Sequence, residues 1–203
     1  MFLPKVYPIT DPRLTKLSHA EQVKRLIEGG ARLIQLREKH ASPKDFYEAS
    51  EEAMKITRAS NARIIINDRV DIALAVGAAG VHLGQDDLPP SFARKILGEN
   101  AIIGFSTHNL EQVFEAVKLP IDYLAIGPVF ATATKENAEK PVGVEMIKKT
   151  RQAIGNFPLV AIGGITFENF KAVLSAGANS VAIINDLLFE PDKIAATMKK
   201  FSV

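Results

Sequence analysis

Residues 63–83 read RIIINDRVDIALAVGAAGVHL and contain one complete β-α-β repeat. The apolar runs Arg63–Asn67 and Gly80–Leu83 have the length and continuous hydrophobicity of strands that are buried on both faces. Between them, Arg69–Val76 has the apolar spacing of a helix, which Gly77-Ala78-Ala79 ends. Because a crossover helix joins neighbouring parallel strands, this stretch predicts a parallel sheet.

The same alternation extends in both directions along the chain. The predicted strands are Lys5–Thr10, Arg32–Arg37, Arg63–Asn67, Gly80–Leu83, Ala101–Ser106, Asp122–Ile126, Pro158–Ile162 and Ser180–Ile184. The predicted helices are Ser18–Glu28, Pro43–Arg58, Arg69–Val76, Pro90–Leu97, Leu110–Lys118, Val144–Ile154, Phe167–Ala176 and Pro191–Phe201. Strands that alternate with helices in this way indicate the α/β class.

Two features favour a closed (β/α)8 barrel over an open doubly wound sheet. The strand count is eight, and a Gly-Ala signature at Gly29-Gly30-Ala31, Gly77-Ala78-Ala79 and Gly177-Ala178 precedes the next strand. An open nucleotide-binding sheet usually has a glycine-rich turn after its first strand, whereas Ile9-Thr10-Asp11-Pro12 contains no glycine. We therefore expect a single TIM-barrel catalytic domain over residues 1–203.

Composition excludes several classes of protein. The 203 residues include 25 Lys+Arg and 23 Asp+Glu, which gives a net charge of +2. This basic surplus is too small for a protein that binds the phosphates of a nucleic acid. The absence of cysteine excludes disulfides, thiolate metal sites and a cysteine nucleophile. No apolar run spans a membrane, and Pro4, Lys5 and Pro8 interrupt the run that a signal peptide needs. We expect a cytoplasmic protein with no nucleic-acid or membrane partner.

Polar side chains follow the predicted strands at the carboxyl edge of the sheet, where TIM barrels build their active sites. They lie in QLREK (35–39), Asn67-Asp68-Arg69, HLGQDD (82–87), Ser106-Thr107-His108, TATK (132–135), Gly163-Gly164 and Asn185-Asp186.

These side chains together predict an anion site with a metal ion. Guanidinium and ammonium groups, hydroxyls and free backbone N–H groups all bind phosphate groups. Asp68 and Asp87 offer hard oxygen ligands from adjacent strands, and Mg²⁺ bridging a pyrophosphate is the ion that suits them. The phosphate-binding candidates are Arg37, Lys39 and Lys135, the hydroxyls of Ser106, Thr132 and Thr134, and the amides at Gly164 and at the end of strand eight.

Each feature taken singly has a structural alternative. Arg37-Glu38-Lys39 is compatible with a solvated strand end, and Asn67-Asp68-Arg69 with a helix cap. His82 is compatible with a satisfied core histidine, His108 with a loop residue, and Gly163-Gly164 with a tight turn. The shared location of these residues at strand ends favours function.

Six ordered motifs resemble the thiamine phosphate synthase family. They are QLREK (35–39), NDRVDIAL (67–74), GVHLGQDDLP (80–89), GFSTH (104–108), GPVFATATK (127–135) and AIGGI (161–165). The resemblance implies a TIM-barrel transferase. Its small-molecule substrates would be 4-amino-2-methyl-5-hydroxymethylpyrimidine pyrophosphate and hydroxyethylthiazole phosphate, and its products thiamine phosphate and pyrophosphate. A homo-oligomer is compatible with this family.

The resemblance also implies a role for each matching residue, and a dissociative reaction through a pyrimidine cation without a protein nucleophile. Gln35 and Asn67 match pyrimidine contacts, and Asp68 and Asp87 match the Mg²⁺ ligands. The pyrophosphate-binding positions are Arg37, Lys39, Ser106 and Lys135; those for the thiazole phosphate are Thr132, Thr134, Gly164, Ile184 and Asn185.

The end of strand eight departs from the family pattern. Ile184-Asn185-Asp186-Leu187 stands where Ile-Ser-Ala-Ile is usual, and Asp186 brings a carboxylate close to the expected phosphate. Because like charges repel, either Asp186 points away or the second substrate binds weakly or differs.

Two alternatives stay open. A thiazole tautomerase of the same superfamily uses a histidine after strand five, where His108 lies, but typically lacks the metal aspartates and both motif lysines that are present here. A non-catalytic regulatory relative has no need of two carboxylates beside three cations, although Asp186 supports it. We also expect the long connection 127–143 to close over the site.

Overall fold

The computed structural model describes residues 3–132 and 140–201. Within them, parallel strands pair in sequence order and close into a barrel, with β8 beside β1. The strands are β1 (Val6–Thr10), β2 (Leu33–Leu36), β3 (Arg63–Asn67), β4 (Gly80–Leu83), β5 (Ile102–Thr107), β6 (Tyr123–Ile126), β7 (Leu159–Ile162) and β8 (Ser180–Ile183). The predicted (β/α)8 barrel is confirmed, and each strand lies within one residue of its predicted bounds.

Helices connect the strands around the outside of the barrel. Those in the described ranges are α1 (Pro12–Thr15), α2 (His19–Glu28), α3 (Pro43–Thr57), α4 (Val70–Val76), α5 (Pro90–Leu97), α6 (Leu110–Ala116), α7 (Gly143–Ile154), α8 (Phe170–Ser175), α9 (Asn185–Leu188) and α10 (Ile194–Phe201), with a 3-10 turn at Pro191–Lys193. None of these helices combines the length and the apolar character needed to cross a membrane.

Two helix predictions need correction, and two short helices lie outside the predictions. The first residues of the helix predicted from Phe167 form a turn instead, in which Asn169 Oδ1 accepts the Thr166 backbone N–H at 2.9 Å, so α8 begins at Phe170. The helix predicted at Pro191–Phe201 divides into the 3-10 turn and α10. The short helices α1 and α9 were not predicted, because four residues are too few for a helical period.

Both faces of the strands are buried, which explains their continuous hydrophobicity. Along β5, Ile103 and Phe105 pack outward against the helices, whereas Ile102 points into the barrel. Tyr7 of β1 and Tyr123 of β6 also point inward, and both are fully buried. The interior is therefore a packed core beneath the carboxyl ends of the strands.

Candidate active site

The carboxyl ends of β2 to β5 bring together five of the predicted site residues. Gln35 and Asn67 point into the barrel mouth and are buried, whereas Arg37 and Asp68 are half-buried just beyond the strands. Ser106, near the end of β5, is also half-buried. Because consecutive strands are neighbours in the barrel, residues far apart in sequence meet at one rim.

Asp68 lies at the centre of this rim. It adopts a left-handed backbone conformation with φ of 62°, directly after β3. Its carboxylate forms an ion pair with Lys39 and accepts a hydrogen bond from Asn67 Nδ2 at 2.7 Å. The N-cap position of α4 is Arg69, which makes no side-chain capping bond. The structure thus gives Asn67-Asp68-Arg69 no role as a helix cap.

Asp87 adds a second carboxylate beside Asp68. Its Oδ2 accepts the backbone N–H of Gly84 at 2.7 Å, which orients it within the β4–α5 loop. Burial raises the pKa of Asp87, and the nearby Asp68 carboxylate raises this pKa further, while the Gly84 N–H and the charge of Lys39 oppose the rise. Two crowded carboxylates of this kind are stabilised by a cation between them.

In the described part of the chain, the carboxylate pair has no third acidic or histidine partner. Within residues 3–132 and 140–201, no cluster of three or more histidine, aspartate or glutamate side chains is arranged to hold a metal ion. Asp68 and Asp87 therefore supply at most two protein ligands from the described part of the chain. Hard cations such as Mg²⁺ commonly keep waters and substrate oxygens as their remaining ligands, so the pair fits such an ion.

Arg37 forms an ion pair with Asp11, a residue that was not among the site residues predicted from the sequence. Its Nη1 lies 3.4 Å from Asp11 Oδ2, and both side chains are less than one fifth exposed. Asp11 also caps α1, where its side chain accepts the backbone N–H groups of Arg13 and Leu14. The Asp11-Pro12 dipeptide is an N-cap signal, and reading it as one would have found this short helix.

A buried histidine lies below this pair. His19 is 2% exposed, its Nδ1 is 2.7 Å from Thr10 Oγ1, and its Nε2 is 3.8 Å from Glu38 Oε2. Burial lowers the pKa of His19 to about 4, although the charges of Glu38 and Asp11 oppose this shift. His19 is therefore neutral at pH 7.

The structure places His82 in the core and in contact with the site. Its ring is 7% exposed, with Nδ1 2.9 Å from Tyr123 Oη and Nε2 2.9 Å from Ser106 Oγ. His82 is thus a satisfied core histidine that also contacts a predicted pyrophosphate-binding residue. His108 lies on the next loop, where its Nδ1 donates to the Gly127 carbonyl at 2.6 Å.

The opposite rim is built from the loops after β7 and β8. Gly163 and Gly164 have φ of 102° and 62°, and a Cβ on Gly164 would lie 2.5 Å from the Ala131 carbonyl oxygen. Gly163-Gly164 is therefore a tight turn that also packs closely on the β6–α7 connection. Asn185 is exposed at the first position of α9, and Ile184 before it is half-buried.

Asp186 is turned toward the β7–α8 loop. Its Oδ2 accepts the Phe167 backbone N–H at 2.9 Å. This bond gives the carboxylate a structural partner.

The β6–α7 connection carries the remaining predicted residues. Thr132 is half-buried at the end of the first described range. Thr134 and Lys135 lie outside the described residues, as does the middle of the predicted lid, residues 133–139.

Comparison with known proteins gives concordant results. The sequence profile of the family described as thiamine monophosphate synthase matches residues 6–187. The chain is 45% identical over 189 residues to a thiamine-phosphate synthase of Clostridium novyi, covering 93% of this chain and 92% of that protein. It is 42% identical to a thiamine-phosphate synthase of Chloroflexus aurantiacus, covering 95% and 88% of the two chains. The solved structure of a thiamine phosphate pyrophosphorylase from Pyrococcus furiosus superposes with a TM-score of 0.87 at 38% identity, covering 97% and 93%.

Proposed function

Since this chain belongs to the thiamine monophosphate synthase family and is a transferase of thiamine biosynthesis that forms thiamine phosphate, we propose that its reaction takes place at the carboxyl rim of the barrel. Hydroxymethylpyrimidine pyrophosphate would bind over β2 to β5, and hydroxyethylthiazole phosphate beside β7 and β8. The observation that carries this assignment is the contact of Lys39, Asp68 and Asp87 at one point of the rim.

The acidic pair is the proposed metal site. Asp68 and Asp87 would hold Mg²⁺ together with substrate oxygens and water, and the raised pKa of Asp87 supports a site that gains from a nearby cation. When bound there, Mg²⁺ would neutralise charge on the pyrophosphate. Lys39 already contacts Asp68, so its ammonium group lies where it can contact the same anion.

Basic and hydroxyl side chains would stabilise the leaving group. The bond between the methylene carbon and the pyrophosphate oxygen breaks, its electron pair leaves with pyrophosphate, and the aminopyrimidine delocalises the positive charge that remains. Arg37, which Asp11 orients, and Ser106 would bind the anion as charge develops on it, together with Lys39 and Lys135. Gln35 and Asn67 would hold the pyrimidine ring.

The second substrate would then capture the cation through its thiazole nitrogen, so no protein nucleophile is needed. Its phosphate would bind bare amides at Gly164 and at the start of α9, because the Gly164 turn brings backbone close to the rim. Fixing both substrates in one site lowers the entropic part of the barrier. The proposed contacts are Thr132, Thr134, Gly164, Ile184 and Asn185.

We further propose that residues 1–203 act as one catalytic barrel in the cytoplasm. The absence of cysteine is consistent with a reducing compartment. The tautomerase alternative is not favoured, because the metal-binding carboxylate pair and Lys39 have no task in a proton transfer at His108.

The assay that tests this function uses the purified chain, both phosphorylated substrates and Mg²⁺. Thiamine phosphate and pyrophosphate should appear in equal amounts, and neither should form with EDTA. Product formation that is insensitive to EDTA would show that the reaction does not need the proposed metal ion. Isomerisation of a thiazole carboxylate phosphate without any thiamine phosphate would instead support the tautomerase.

A further inference from the structure

A continuous chain of hydrogen bonds crosses the barrel interior from Gln35 on β2 to Ser106 on β5. Gln35 Nε2 lies 3.2 Å from Tyr7 Oη, which is 3.2 Å from Tyr123 Oη. Tyr123 Oη lies 2.9 Å from His82 Nδ1, and His82 Nε2 lies 2.9 Å from Ser106 Oγ. The chain thus joins a proposed pyrimidine contact to a proposed pyrophosphate contact.

The middle of this chain is sealed from water. Tyr7 and Tyr123 are 1% and 0% exposed, and burial raises the pKa of each, so both hydroxyls keep their protons. The tyrosine rings meet edge to face with centroids 6.0 Å apart, and His82 stacks on Tyr123 at 5.5 Å. Hydrogen bonds in such surroundings are strong and polarise one another.

Gly104 of β5 makes room for the stacked pair. A Cβ at this position would lie 2.0 Å from Tyr123 Cζ and 2.5 Å from His82 Nδ1. Any larger residue would therefore displace the two rings. Because Gly104 has no side chain, the rings of His82 and Tyr123 occupy the space beside the strand.

The Gln35 amide nitrogen only donates, so it donates to Tyr7 Oη. A hydroxyl donates one hydrogen bond and accepts up to two, so the donor inventory leaves two directions open for the rest of the chain. In the direction that continues from Gln35, the Tyr7 hydroxyl donates to Tyr123 Oη. Tyr123 then donates to His82 Nδ1, which places the histidine proton on Nε2. His82 donates that proton to Ser106 Oγ, so the Ser106 hydroxyl donates in another direction.

We propose that Tyr7, Tyr123 and His82 are positioning residues. By donating in this direction, they determine which hydrogen-bonding groups of Gln35 and Ser106 face the substrate. The inference rests on the proposed function. Gln35 presents its carbonyl oxygen Oε1 to the amino group of the pyrimidine, and Ser106 presents its O–H to the pyrophosphate. Both groups are then oriented before the substrate arrives, which lowers the cost of reorganisation during the reaction.

The tautomer of His82 is the first test, and it needs no turnover. Long-range proton–nitrogen NMR spectra of the ¹⁵N-histidine protein should show His82 neutral with its proton on Nε2. The signals are assigned by their loss in His82→Gln. A proton on Nδ1, or an imidazolium ring, at pH 7.5 would overturn the proposal. This result stands even if the chain forms no thiamine phosphate, so the two failures are distinguishable.

Kinetics of Tyr123→Phe provide the second test, since this substitution removes one hydroxyl and keeps the ring. The KM for the pyrimidine pyrophosphate should rise about tenfold and kcat should fall, while the KM for the thiazole phosphate stays unchanged. Thr57→Val is the matched control, because Thr57 is also buried but lies on α3 away from the site and donates to the Met54 carbonyl at 2.9 Å. Wild-type constants in Tyr123→Phe, or an equal change in both KM values, would contradict the positioning role. If Tyr123→Phe does not fold, Tyr7→Phe breaks the same chain and is held to the same outcomes.

Discussion

The Lys39 ammonium group forms an ion pair with the Asp68 carboxylate and so joins the end of β2 to the end of β3. Asp68 is 18% exposed and Lys39 40% exposed, so the pair lies at the edge of the barrel mouth. Asp87, at the next strand end, lies close enough for the Asp68 carboxylate to raise its pKa. One cation and two carboxylates thus meet at one point, where the positive charge of Lys39 offsets part of the negative charge of the two carboxylates.

Replacement of Lys39 separates a catalytic role from a structural one. We expect Lys39→Met to lower kcat at least about 100-fold, because a cation beside the leaving pyrophosphate is lost. The free energy of unfolding should change by no more than about 1 kcal/mol, since the pair is partly exposed. Lys44→Met, at an exposed lysine paired with Glu48 on α3, is the control and should keep wild-type rates. Near-normal turnover in Lys39→Met would exclude the role proposed for it.

The Asp186 carboxylate gives a prediction in the opposite direction. In Asp186→Asn the amide oxygen still accepts the Phe167 N–H, while a negative charge near the proposed phosphate site is removed. We expect the KM for the thiazole phosphate to fall about threefold to tenfold, with the other KM unchanged. Asp192→Asn, at an exposed carboxylate beyond α9, is the control. A rise in the thiazole phosphate KM would mean that Asp186 assists binding of this substrate.

His19 makes stability depend on pH. Its folded-state pKa is about 4, against a usual value of 6.5, so the unfolded chain binds more protons between these limits. Stability should therefore be complete above about pH 6.5 and fall by about 2 to 3 kcal/mol as the pH drops to about 4. Denaturant unfolding of His19→Gln should show a smaller loss over this range. His40→Gln, at an exposed ring, should show the wild-type loss, and equal slopes in all three proteins would contradict this role of His19.

The elements that the sequence predicted well are those with strong local signals. The predicted first and last residues of β3 and of β4 are those of the structure. Both strands are continuous apolar runs, and the Gly-Ala signature precedes β4. The capping box of Ser18 and Glu21 is present, with both reciprocal hydrogen bonds. The clustering of Lys39 with Asp68 also followed from the order of strands in a barrel.

The relationships that the sequence did not predict are long-range ones. Tyr123 meets His82 across 41 residues and Tyr7 across 116 residues, and no local pattern marks either contact. The inward direction of these side chains depends on the register of a closed barrel, in which Gly104 leaves the necessary space. The Arg37–Asp11 pair likewise joins two loops through the fold.

The most direct test of the central claim is the rate of thiamine phosphate formation as a function of Mg²⁺ concentration, in the wild type and in Asp87→Asn. The wild-type rate should rise to saturation with Mg²⁺, whereas Asp87→Asn should need at least about tenfold more Mg²⁺ and reach a lower maximum. Asp86→Asn, at the exposed neighbouring carboxylate, should follow the wild-type curve. If Asp87→Asn matches the wild type in both Mg²⁺ requirement and maximal rate, the acidic pair does not hold the metal and the proposed site is wrong.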